Sequence, residues 1–387
     1  MSVTAAAGFV AAGVAAGVKA SGSADVALVA TDDGLAVPAA GVFTTNRMTA
    51  APVRVTRAHL EATGGRAAAV ILNAGNANAA TGEQGDLDAE TMCASVAREL
   101  GCGPDEVLVC STGLIGIPLP IETITAAVPA LVAARSTDGA DDAAGAILTT
   151  DTVAKEVVVE ATGFTVGGMA KGAAMLAPNM ATMLAVITTD AGAESAVLAD
   201  VLDHAVEHSF NTLSVDGCTS TNDTVLLLAS GRAGPVDPRE LALAVAEACQ
   251  SLAEQMAADA EGATKVVRVV VSGAASDDDA AVAARAVADS ALCKCSWYGA
   301  DPYWGRVASE LGASGARFEP ARLRITYGGT VVADGGVAVS HDVATVAAHL
   351  ATDRIELTCD LGLGPGRAQI LTNDLTHAYI DENMGTS

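Results

Sequence analysis

Short apolar runs of β type and longer stretches of helical character alternate along the chain. Residues 24–80 predict strands, with the runs ADVALVATD, AAGVFTTN and AAAVILNAGNANAATG bounded by turn-forming residues. Residues 86–100 predict a helix, because Asp lies near the start and Gly101 provides a stop. The short strand EVLVC then precedes a second predicted helix, IETITAAVPALVAA, in which Pro129 is expected to cause a kink.

The second half of the chain continues this alternation. ILTTDTVAKEVVVEATGFTVGGMA predicts a hairpin-like pair of strands. Further on we predict a strand, a helix over 192–208, the strand TVLLLAS, a long acidic helix over 237–259 and the strand KVVRVVVSGA. A helix that begins with aspartates at 277–279 follows, because acidic residues suit a helix N-terminus. The last third predicts a hairpin at RLRITYGGTVVADGG, a helix near 341–351 and two closing strands.

The order of these elements indicates the fold class. Strands occur in pairs between helices, which favours stacked sheets covered by helices over a doubly wound parallel sheet. We therefore predict an α/β (α+β) fold of stacked β-sheets flanked by helices, with a second α/β lobe. A chain of 387 residues is long enough for this arrangement. Because aromatic residues make up only 3% of the sequence, the core is expected to consist of small, closely packed side chains.

The charge balance argues against two classes of partner. The sequence has 21 Lys and Arg against 46 Asp and Glu, which gives a net charge of −25. It contains no basic cluster that could contact phosphate groups. We therefore expect neither a nucleic acid nor a membrane surface as a partner.

The N-terminus and the cysteines together favour a cytoplasmic protein. The apolar N-terminal segment lacks a positively charged start and is interrupted by glycines, unlike a secretory signal. Elsewhere charges interrupt each apolar run before it reaches membrane-spanning length. Eight cysteines scattered along a chain of this length fit free thiols in a reducing compartment better than a disulfide framework.

Two glycine-rich segments suggest a nucleotide site only weakly. GLGPGR (362–367) contains a proline and is not followed by a predicted helix, and GNANAATGEQG (75–85) lacks the glycine spacing of a dinucleotide fingerprint. We interpret both segments as tight turns between strands.

Two pairs of potential metal ligands are also weak signals. His204 and His208 are four residues apart on a predicted helix, but a third ligand is not apparent, so a solvated or half-buried helix face is the simpler hypothesis. Cys293 and Cys295 lack the second pair that a zinc site requires. We interpret them as small apolar side chains on one face of a strand, and no metal is expected.

The segment KGAAMLAPNMATMLAVITTDA (171–191) places Thr182 at the start of an apolar strand. Threonine is a common strand residue, which is the structural interpretation. The chemical interpretation is a nucleophile, because an N-terminal threonine can use its own α-amine, of pKa about 8, as the base. Cleavage of the bond between Ala181 and Thr182 would create that amine. A turn with exposed N–H and hydroxyl groups, such as Ser111-Thr112-Gly113, could then stabilise the oxyanion.

This segment resembles the K-G-[SA]-G-M-I-x-P-N-M-A-T-M-L signature of the ornithine acetyltransferase family of arginine biosynthesis. Eight further segments resemble that family and follow its order over nearly the whole chain. They are GVFTTNRMTAAPV (41–53), NAGNANAATGEQG (73–85), STGLIG (111–116), ILTTDT (147–152), SFNTLSVDGCTSTNDT (209–224), DAEGATK (259–265), GADPYWGR (299–306) and TNDLTHAYIDEN (372–383). Each alone is a weak signal, and together they are highly specific.

The resemblance implies a self-cleaving N-terminal-nucleophile enzyme with an αββα-like architecture. It implies an α chain of residues 1–181 and a β chain of residues 182–387, associated as α2β2. Thr182 would take the acetyl group from N2-acetylornithine and pass it to L-glutamate, with Thr112 and Gly113 as the oxyanion hole. No cofactor is implied, although some members of the family also accept acetyl-CoA as a co-substrate.

The resemblance also implies a set of substrate-binding residues. A lysine suits a substrate carboxylate, and a glutamate suits the ammonium group of ornithine. The positions that match are Thr149, Lys171, Thr182, Glu261, Asn383 and, in the tail, Ser387.

The chain departs from the family pattern at several positions. Ala174 and Ala260 stand where glycine is usual, Tyr303 replaces an asparagine, LCKC replaces L-V-K-T, and the tail is short. Two other functions therefore stay open. One is a self-cleaving aminopeptidase or amidohydrolase, in which water replaces glutamate as the acceptor. The other is an uncleaved, inactive homologue that acts as a scaffold.

Overall fold

Three β-sheets organise the computed structural model, which describes residues 2–175 and 183–385. Within those residues the strands are Phe9–Val14 (β1), Val26–Thr31 (β2), Val37–Phe43 (β3), Arg66–Ala67 (β4), Ala69–Asn76 (β5), Val107–Leu114 (β6), Lys155–Ala161 (β7), Phe164–Lys171 (β8), Leu184–Gly192 (β9), Thr224–Pro235 (β10), Val266–Ala274 (β11), Arg324–Tyr327 (β12), Thr330–Asp334 (β13), Val337–Ala338 (β14), Arg354–Asp360 (β15) and Gly366–Asn373 (β16).

Helices connect and cover these strands. In the same described ranges they are Ala51–Ala62 (α1), Gly82–Leu100 (α2), Ile121–Ala134 (α3), Ala140–Ala146 (α4), Ser195–Glu207 (α5), Pro238–Ala258 (α6), Asp277–Asp289 (α7), Ala291–Tyr298 (α8), Gly305–Ala313 (α9), Val343–Leu350 (α10) and His377–Glu382 (α11). Among the residues described, no helix is both long enough and apolar enough to cross a lipid bilayer.

The chain divides into two units. The first contains the described residues of Met1–Asn211 and Cys218–Met256, and the second contains Thr212–Gly217 together with the described residues from Ala257 onward. Sheet I, in the order β1-β2-β5-β6, and sheet II, in the order β4-β3-β10-β9-β8-β7, belong to the first unit. Sheet III, in the order β14-β13-β12-β15-β11-β16, belongs to the second.

Two parallel strand pairs bring chain segments together in the first unit. In sheet I, β5 and β6 are parallel and α2 connects them, whereas the other neighbours are antiparallel. In sheet II, β9 and β10 are parallel and α5 connects them. β8 and β9 are antiparallel neighbours, with Lys171 opposite Leu184. The ends of β6 and β8 and the starts of β9 and β10 carry the groups described in the next subsection.

Sheets I and II pack face to face. Successive side chains of a strand point to opposite faces, so β2 contributes Val29 to a core shared by both sheets and Leu28 to the opposite side of sheet I. The shared core also contains Leu72 of β5, Val186 of β9 and Leu228 of β10.

Helices cover the outer faces of this pair of sheets. Ile71 of sheet I packs with Met92 of α2 and Val128 of α3. On sheet II, α5 contacts β3 and β10, and Leu252 of α6 lies over Gly168 of β8, where an added Cβ would be 3.4 Å from its Cδ1 atom. The first unit is therefore a helix–sheet–sheet–helix sandwich.

The second unit has its own core. Sheet III packs against α7, α8, α9 and α10, and the buried side chains include Val269, Trp297, Tyr327 and Leu357. This unit is the second α/β lobe that the sequence predicted. Together with the stacked sheets of the first unit it confirms the predicted fold class.

Three local predictions were wrong. Residues within the predicted strand region 24–80 form α1, which begins with a proline in its first turn and buries Val53 and Thr56 at helical spacing. Residues 75–85 lead from β5 into α2 and do not form a turn between two strands. Cys293, buried, and Cys295, exposed, lie on α8 and not on a strand, with Ser290 as the helix N-cap.

The backbones of β1 and α4 approach each other closely at Gly13. A Cβ atom added at Gly13 of β1 would lie 2.0 Å from the Asp142 carbonyl oxygen of α4. We expect Gly13→Ala to lower the free energy of unfolding by about 1–3 kcal/mol or more, because backbone must move to accommodate the methyl group.

Gly145, on the same helix α4, is the matched control. An added Cβ there would meet nothing within 4 Å, so Gly145→Ala should raise stability by up to about 1 kcal/mol through helix propensity. Urea denaturation of both variants checks the pair. Equal midpoints for the two variants would contradict the described approach of the two backbones.

Candidate active site

Thr112 and Gly113 lie at the end of β6, beside the end of its parallel neighbour β5. Pairing slips there, so that Asn76 opposes both Thr112 and Leu114 in a β-bulge. Gly113 has a φ of +130°, and an added Cβ would lie 2.3 Å from the carbonyl carbon of Gly75. Position 113 therefore requires glycine. Bulges re-aim backbone groups and are common next to active sites.

Lys171 connects three of the predicted site residues. It is the last residue of β8 and is almost fully buried. Its Nζ atom donates hydrogen bonds to Thr149 Oγ1 at 2.7 Å and to Thr112 Oγ1 at 3.3 Å. Thr149 itself is exposed, so the cluster can be reached from solvent. The structure thus brings together Thr112, Thr149 and Lys171, which lie far apart in the sequence.

Asp151 is a site residue that the sequence analysis did not single out. Its side chain is fully buried and its carboxylate lies 2.6 Å from Lys155 Nζ and 3.6 Å from Lys171 Nζ. Gly172 donates its backbone N–H to the same carboxylate at 2.7 Å. The residue falls inside the ILTTDT segment, but a single aspartate in a loop gives no sign of burial.

The pKa of Asp151 depends on the charges of Lys155 and Lys171. Burial by itself would raise the pKa of the Asp151 carboxyl, but the charges of Lys171 and Lys155 outweigh it and hold that pKa well below its usual range. The aspartate is therefore ionised at neutral pH. Two cations and one anion leave a net positive charge next to Thr112 and Thr149.

Glu261 and Asn383, both in the second unit, lie next to each other. The Asn383 side chain donates Nδ2 to Glu261 Oε2 at 2.8 Å. Glu261 is mostly buried and lines a cavity of about 140 Å³. Lys294 and Tyr379 line the same cavity, together with several acidic side chains. A cavity with carboxylates and a single ammonium group suits a ligand that carries both charges.

The Glu261 segment is fixed by a carboxylate from the TNDLTHAYIDEN region. Asp374 accepts the backbone N–H groups of Thr264 and Lys265, each at 2.9 Å.

The alanines that replace the family's usual glycines at 174 and 260 both avoid the left-handed region of φ. Neither position requires glycine, so these two departures are compatible with the backbone.

Lys294 is a buried cation that the sequence analysis did not single out. Its Nζ atom donates to the carbonyl oxygens of Val215 at 2.9 Å and Asn373 at 3.1 Å, and also to Thr372 Oγ1. Burial lowers the pKa of Lys294 to about 8, although neighbouring carboxylates oppose the shift.

Several predicted residues lie outside the residues that the structure describes. They are Ala181 and Thr182 at the expected cleavage point, and Ser387 in the tail. Their roles stay predictions.

The histidine pair gains a neighbour in the structure. His204 and His208 have ring centroids 4.4 Å apart, and Glu207 places a carboxylate within 4.8 Å of their ring nitrogens. All three side chains are exposed at the C-terminal end of α5, where His208 is the residue after the helix. The sequence analysis had not identified Glu207 as a third candidate ligand.

Comparison with known proteins identifies the family. A sequence model of the ArgJ family matches residues 10–385. The arginine biosynthesis bifunctional protein ArgJ of Mycobacterium leprae is 50% identical over 396 residues, covering 100% of this chain and 95% of that protein. The protein of the same name from Thermobifida fusca is 48% identical over 388 residues and is covered completely, as is this chain.

Two solved structures are also similar. ArgJ from Bacillus halodurans matches with a TM-score of 0.49 and 34% identity over 51% of this chain and 95% of that chain. An ornithine acetyltransferase from Mycobacterium tuberculosis, solved in complex with ornithine, matches with a TM-score of 0.44 and 49% identity over 46% of this chain and 94% of that chain.

The family model and the two ArgJ relatives define an acyltransferase. The chain belongs to the ArgJ family, and it is an acetyltransferase of arginine biosynthesis. This confirms the family resemblance and the enzyme class predicted from the sequence, in place of a hydrolase or an inactive scaffold.

The buried charges of the site give a stability prediction. Asp151→Asn removes the only anion described between Lys155 and Lys171 and leaves two buried ammonium groups. We expect a loss of about 3–5 kcal/mol of unfolding free energy, the usual cost of breaking a buried ion pair. Chemical denaturation measures it.

Asp86→Asn is the matched control. Asp86 pairs with Arg54 at 2.6 Å, but both side chains are more than 40% exposed. Its loss should cost less than about 1 kcal/mol. Equal effects of the two substitutions would show that the carboxylate of Asp151 is not buried as described.

Lys294 predicts a pH dependence of stability. Its folded-state pKa lies below the reference value of about 10.4, so between these values the unfolded chain binds more protons and stability rises with pH. The stability of the wild type relative to Lys294→Met should therefore rise by roughly 1–2 kcal/mol between pH 7 and pH 9.5.

Denaturation curves at several pH values measure this difference. Arg322→Met removes an exposed cation from the same unit, and its difference from the wild type should not change with pH. A difference for Lys294→Met that is equally flat would contradict the lowered pKa.

Proposed function

We propose that this enzyme transfers the acetyl group of N2-acetylornithine to L-glutamate through an acetyl ester on Thr182. The observation that carries the proposal is the cluster in which Lys171 joins Thr112 and Thr149 at the end of β8. Membership of the ArgJ family supports the same chemistry. The M. tuberculosis relative, which was solved with ornithine, supports ornithine as the product amine.

Self-cleavage would prepare the nucleophile. The Thr182 hydroxyl oxygen attacks the carbonyl carbon of Ala181, the Ala181–Thr182 C–N bond breaks, and the hydroxyl proton passes to the released amine. Water then hydrolyses the resulting ester, which gives a carboxylate on Ala181 and an N-terminal Thr182. The products are the α chain 1–181 and the β chain 182–387, and we propose that they associate as α2β2.

Acetyl transfer then proceeds in two steps. The Thr182 α-amine takes the hydroxyl proton while the oxygen attacks the acetyl carbonyl of N2-acetylornithine. The amide C–N bond breaks, and the proton passes to the departing ornithine nitrogen. The amine of glutamate attacks the acetyl ester in the second step, releasing N-acetylglutamate and returning the Thr182 hydroxyl.

The described side chains would divide the work by charge. Thr112 and the backbone at Gly113 would donate to the oxyanion of each tetrahedral intermediate. Lys171, with Thr149 at 2.7 Å, would hold a substrate carboxylate, which the net positive charge of the cluster favours. Glu261, oriented by Asn383, would accept the substrate ammonium group. Ser387 would extend this set from the tail.

The proposal also covers the acetyl donor and the cellular location. Acetyl-CoA is an alternative acetyl donor for the same Thr182 nucleophile, and the enzyme itself holds no resident cofactor. We place the activity in the cytoplasm. Eight cysteines scattered along a chain of this length suit a reducing compartment better than a disulfide framework.

Intact-mass measurement of the purified protein tests the proposal. The wild type should give two fragments, the second beginning at Thr182, and Thr182→Ala should stay whole because the nucleophile is lost. Thr91→Ala, which removes an exposed threonine on α2, should cleave as the wild type does.

The same instrument follows the transfer step. Incubation with N2-acetylornithine in the absence of glutamate should add the mass of one acetyl group to the second fragment, and kinetics with both substrates should be ping-pong. An uncut wild-type chain, or a cut chain that never gains the acetyl mass, would sink the mechanism.

A further inference from the structure

A buried polar segment precedes β10 and has no role in the mechanism so far. Its residues, 220–223, are Ser220, Thr221, Asn222 and Asp223, and each is less than a tenth exposed. We name it the clamp segment. Burying polar side chains is costly unless their hydrogen bonds are made inside the protein. The partners of these side chains therefore indicate what the segment is for.

Asn222 reaches the strand that carries the predicted oxyanion hole. Its Nδ2 atom donates to the carbonyl oxygens of Ser111 at 2.9 Å and Ala77 at 2.6 Å. Two carbonyl acceptors require the amide nitrogen, and not the oxygen, on this side. Thr221 Oγ1 donates to Asn222 Oδ1 at 2.6 Å and fixes the other end of the amide.

The bond to Ser111 determines the direction of the next N–H group. The Ser111 carbonyl and the Thr112 N–H belong to one planar peptide group. Holding the carbonyl oxygen therefore fixes the plane of this trans peptide group, whose N–H points away from Asn222, and with it the backbone that leads into Thr112 and Gly113. Asn222 acts on Thr112 through this plane and does not need to touch the substrate.

Asp223 reaches the strand that follows Thr182 in the chain. Its Oδ1 atom accepts the backbone N–H of Met183 at 3.0 Å, and the N–H of Thr224 donates to the Met183 carbonyl at 3.1 Å. Both backbone polar groups of Met183 are thus held from the start of β10. The other oxygen, Oδ2, is buried and has no hydrogen-bond partner among the described residues.

Burial disfavours the charged form of the Asp223 carboxyl group. Burial raises the pKa of Asp223 well above its usual range, and the Met183 N–H, the Ser220 and Thr44 hydroxyls and the charge of Lys171 oppose this only in part. A neutral acid can still accept the Met183 N–H through its carbonyl oxygen.

We propose that the clamp segment fixes the oxyanion strand β6 relative to the start of β9, with Asn222 and Asp223 as positioning residues for acetyl transfer. This inference rests on the proposed function. After cleavage before Thr182, Asn222 belongs to the β chain whereas Ala77 and Ser111 belong to the α chain. Its two hydrogen bonds then connect the two polypeptides beside the site.

Kinetics of Asn222→Ala test the first half of the clamp. We expect kcat to fall about 10- to 100-fold, because a misdirected oxyanion donor weakens only the transition state, while KM for N2-acetylornithine changes less than threefold. Asn46→Ala is the matched control. Asn46 makes the same kind of bond, from Nδ2 to the Thr219 carbonyl at 2.8 Å, but its side-chain bonds among the described residues do not go to β6, and the kcat of this variant should stay at the wild-type value.

A milder variant separates an effect on kcat from a loss of folded protein. Thr221→Val keeps the shape of the side chain and removes only the bond that orients the Asn222 amide. We expect kcat, calculated per folded enzyme, to fall about 2- to 10-fold, the change that corresponds to one neutral hydrogen bond. The melting temperature should stay at the wild-type value. Asn222→Ala and Thr221→Val that both keep wild-type kcat would overturn the clamp.

The pair Asp223→Asn and Asp223→Ala tests the second half. Asparagine reproduces the shape of the neutral acid and keeps an oxygen that accepts from Met183, so cleavage and kcat at pH 7 should stay within threefold of the wild type. Alanine removes the acceptor and should lower both. An Asp223→Asn variant as impaired as Asp223→Ala would overturn the positioning role of a neutral acid.

The wild type in the same assays separates this inference from the function on which it rests. A wild type that neither cleaves nor transfers acetyl groups overturns the proposed function and the clamp together. A wild type that does both, beside variants of Asn222 and Thr221 that are equally active, overturns the clamp alone.

Discussion

Asp151 lies between the ammonium groups of Lys155 and Lys171, and water reaches almost none of the three side chains. A buried cation is tolerable only with a nearby anion, so the position of Lys171 depends on this carboxylate. The hydrogen bonds of Lys171 to Thr112 and Thr149 depend on it in turn. One ion-pair group therefore connects the loop before β7, the end of β8 and the end of β6.

The small-residue composition explains how the layers come so close. A core with few aromatics gains contact area only if backbones approach each other directly. The methyl-free surface of Gly13 against α4 is one such place, and Gly113 against Gly75 in the bulge of β5 and β6 is another. The same close packing that stabilises the sandwich thus shapes the turn at the predicted oxyanion hole.

Much of the architecture could be predicted from the sequence, because helix and strand periodicities are local. The order of predicted strands and helices predicted the layered fold class, and the ordered motifs predicted the family. Burial is not local, which is why Asp151, Lys294 and Asn222 were missed as important side chains. A polar residue in a loop has the same appearance in a sequence whether it faces water or a buried lysine. The α1 error has a similar origin, since the β-branched Val53 and Val55 alternate as in a strand, and only the burial of Val53 together with Thr56 shows the helical period.

Sheet II contains strands from both sides of the Ala181–Thr182 bond, with β8 before it and β9 and β10 after it. The two products of cleavage would therefore share one hydrogen-bonded sheet and one core, and neither would be a folding unit. If the chain is cut at this bond as proposed, the sandwich would form while the chain is still continuous, and the cut would come afterwards. Cleavage at this point would be a late step of maturation. If the two chains were instead expressed separately, each would contain only part of sheet II, and the sandwich would have to form by association of two incomplete sheets.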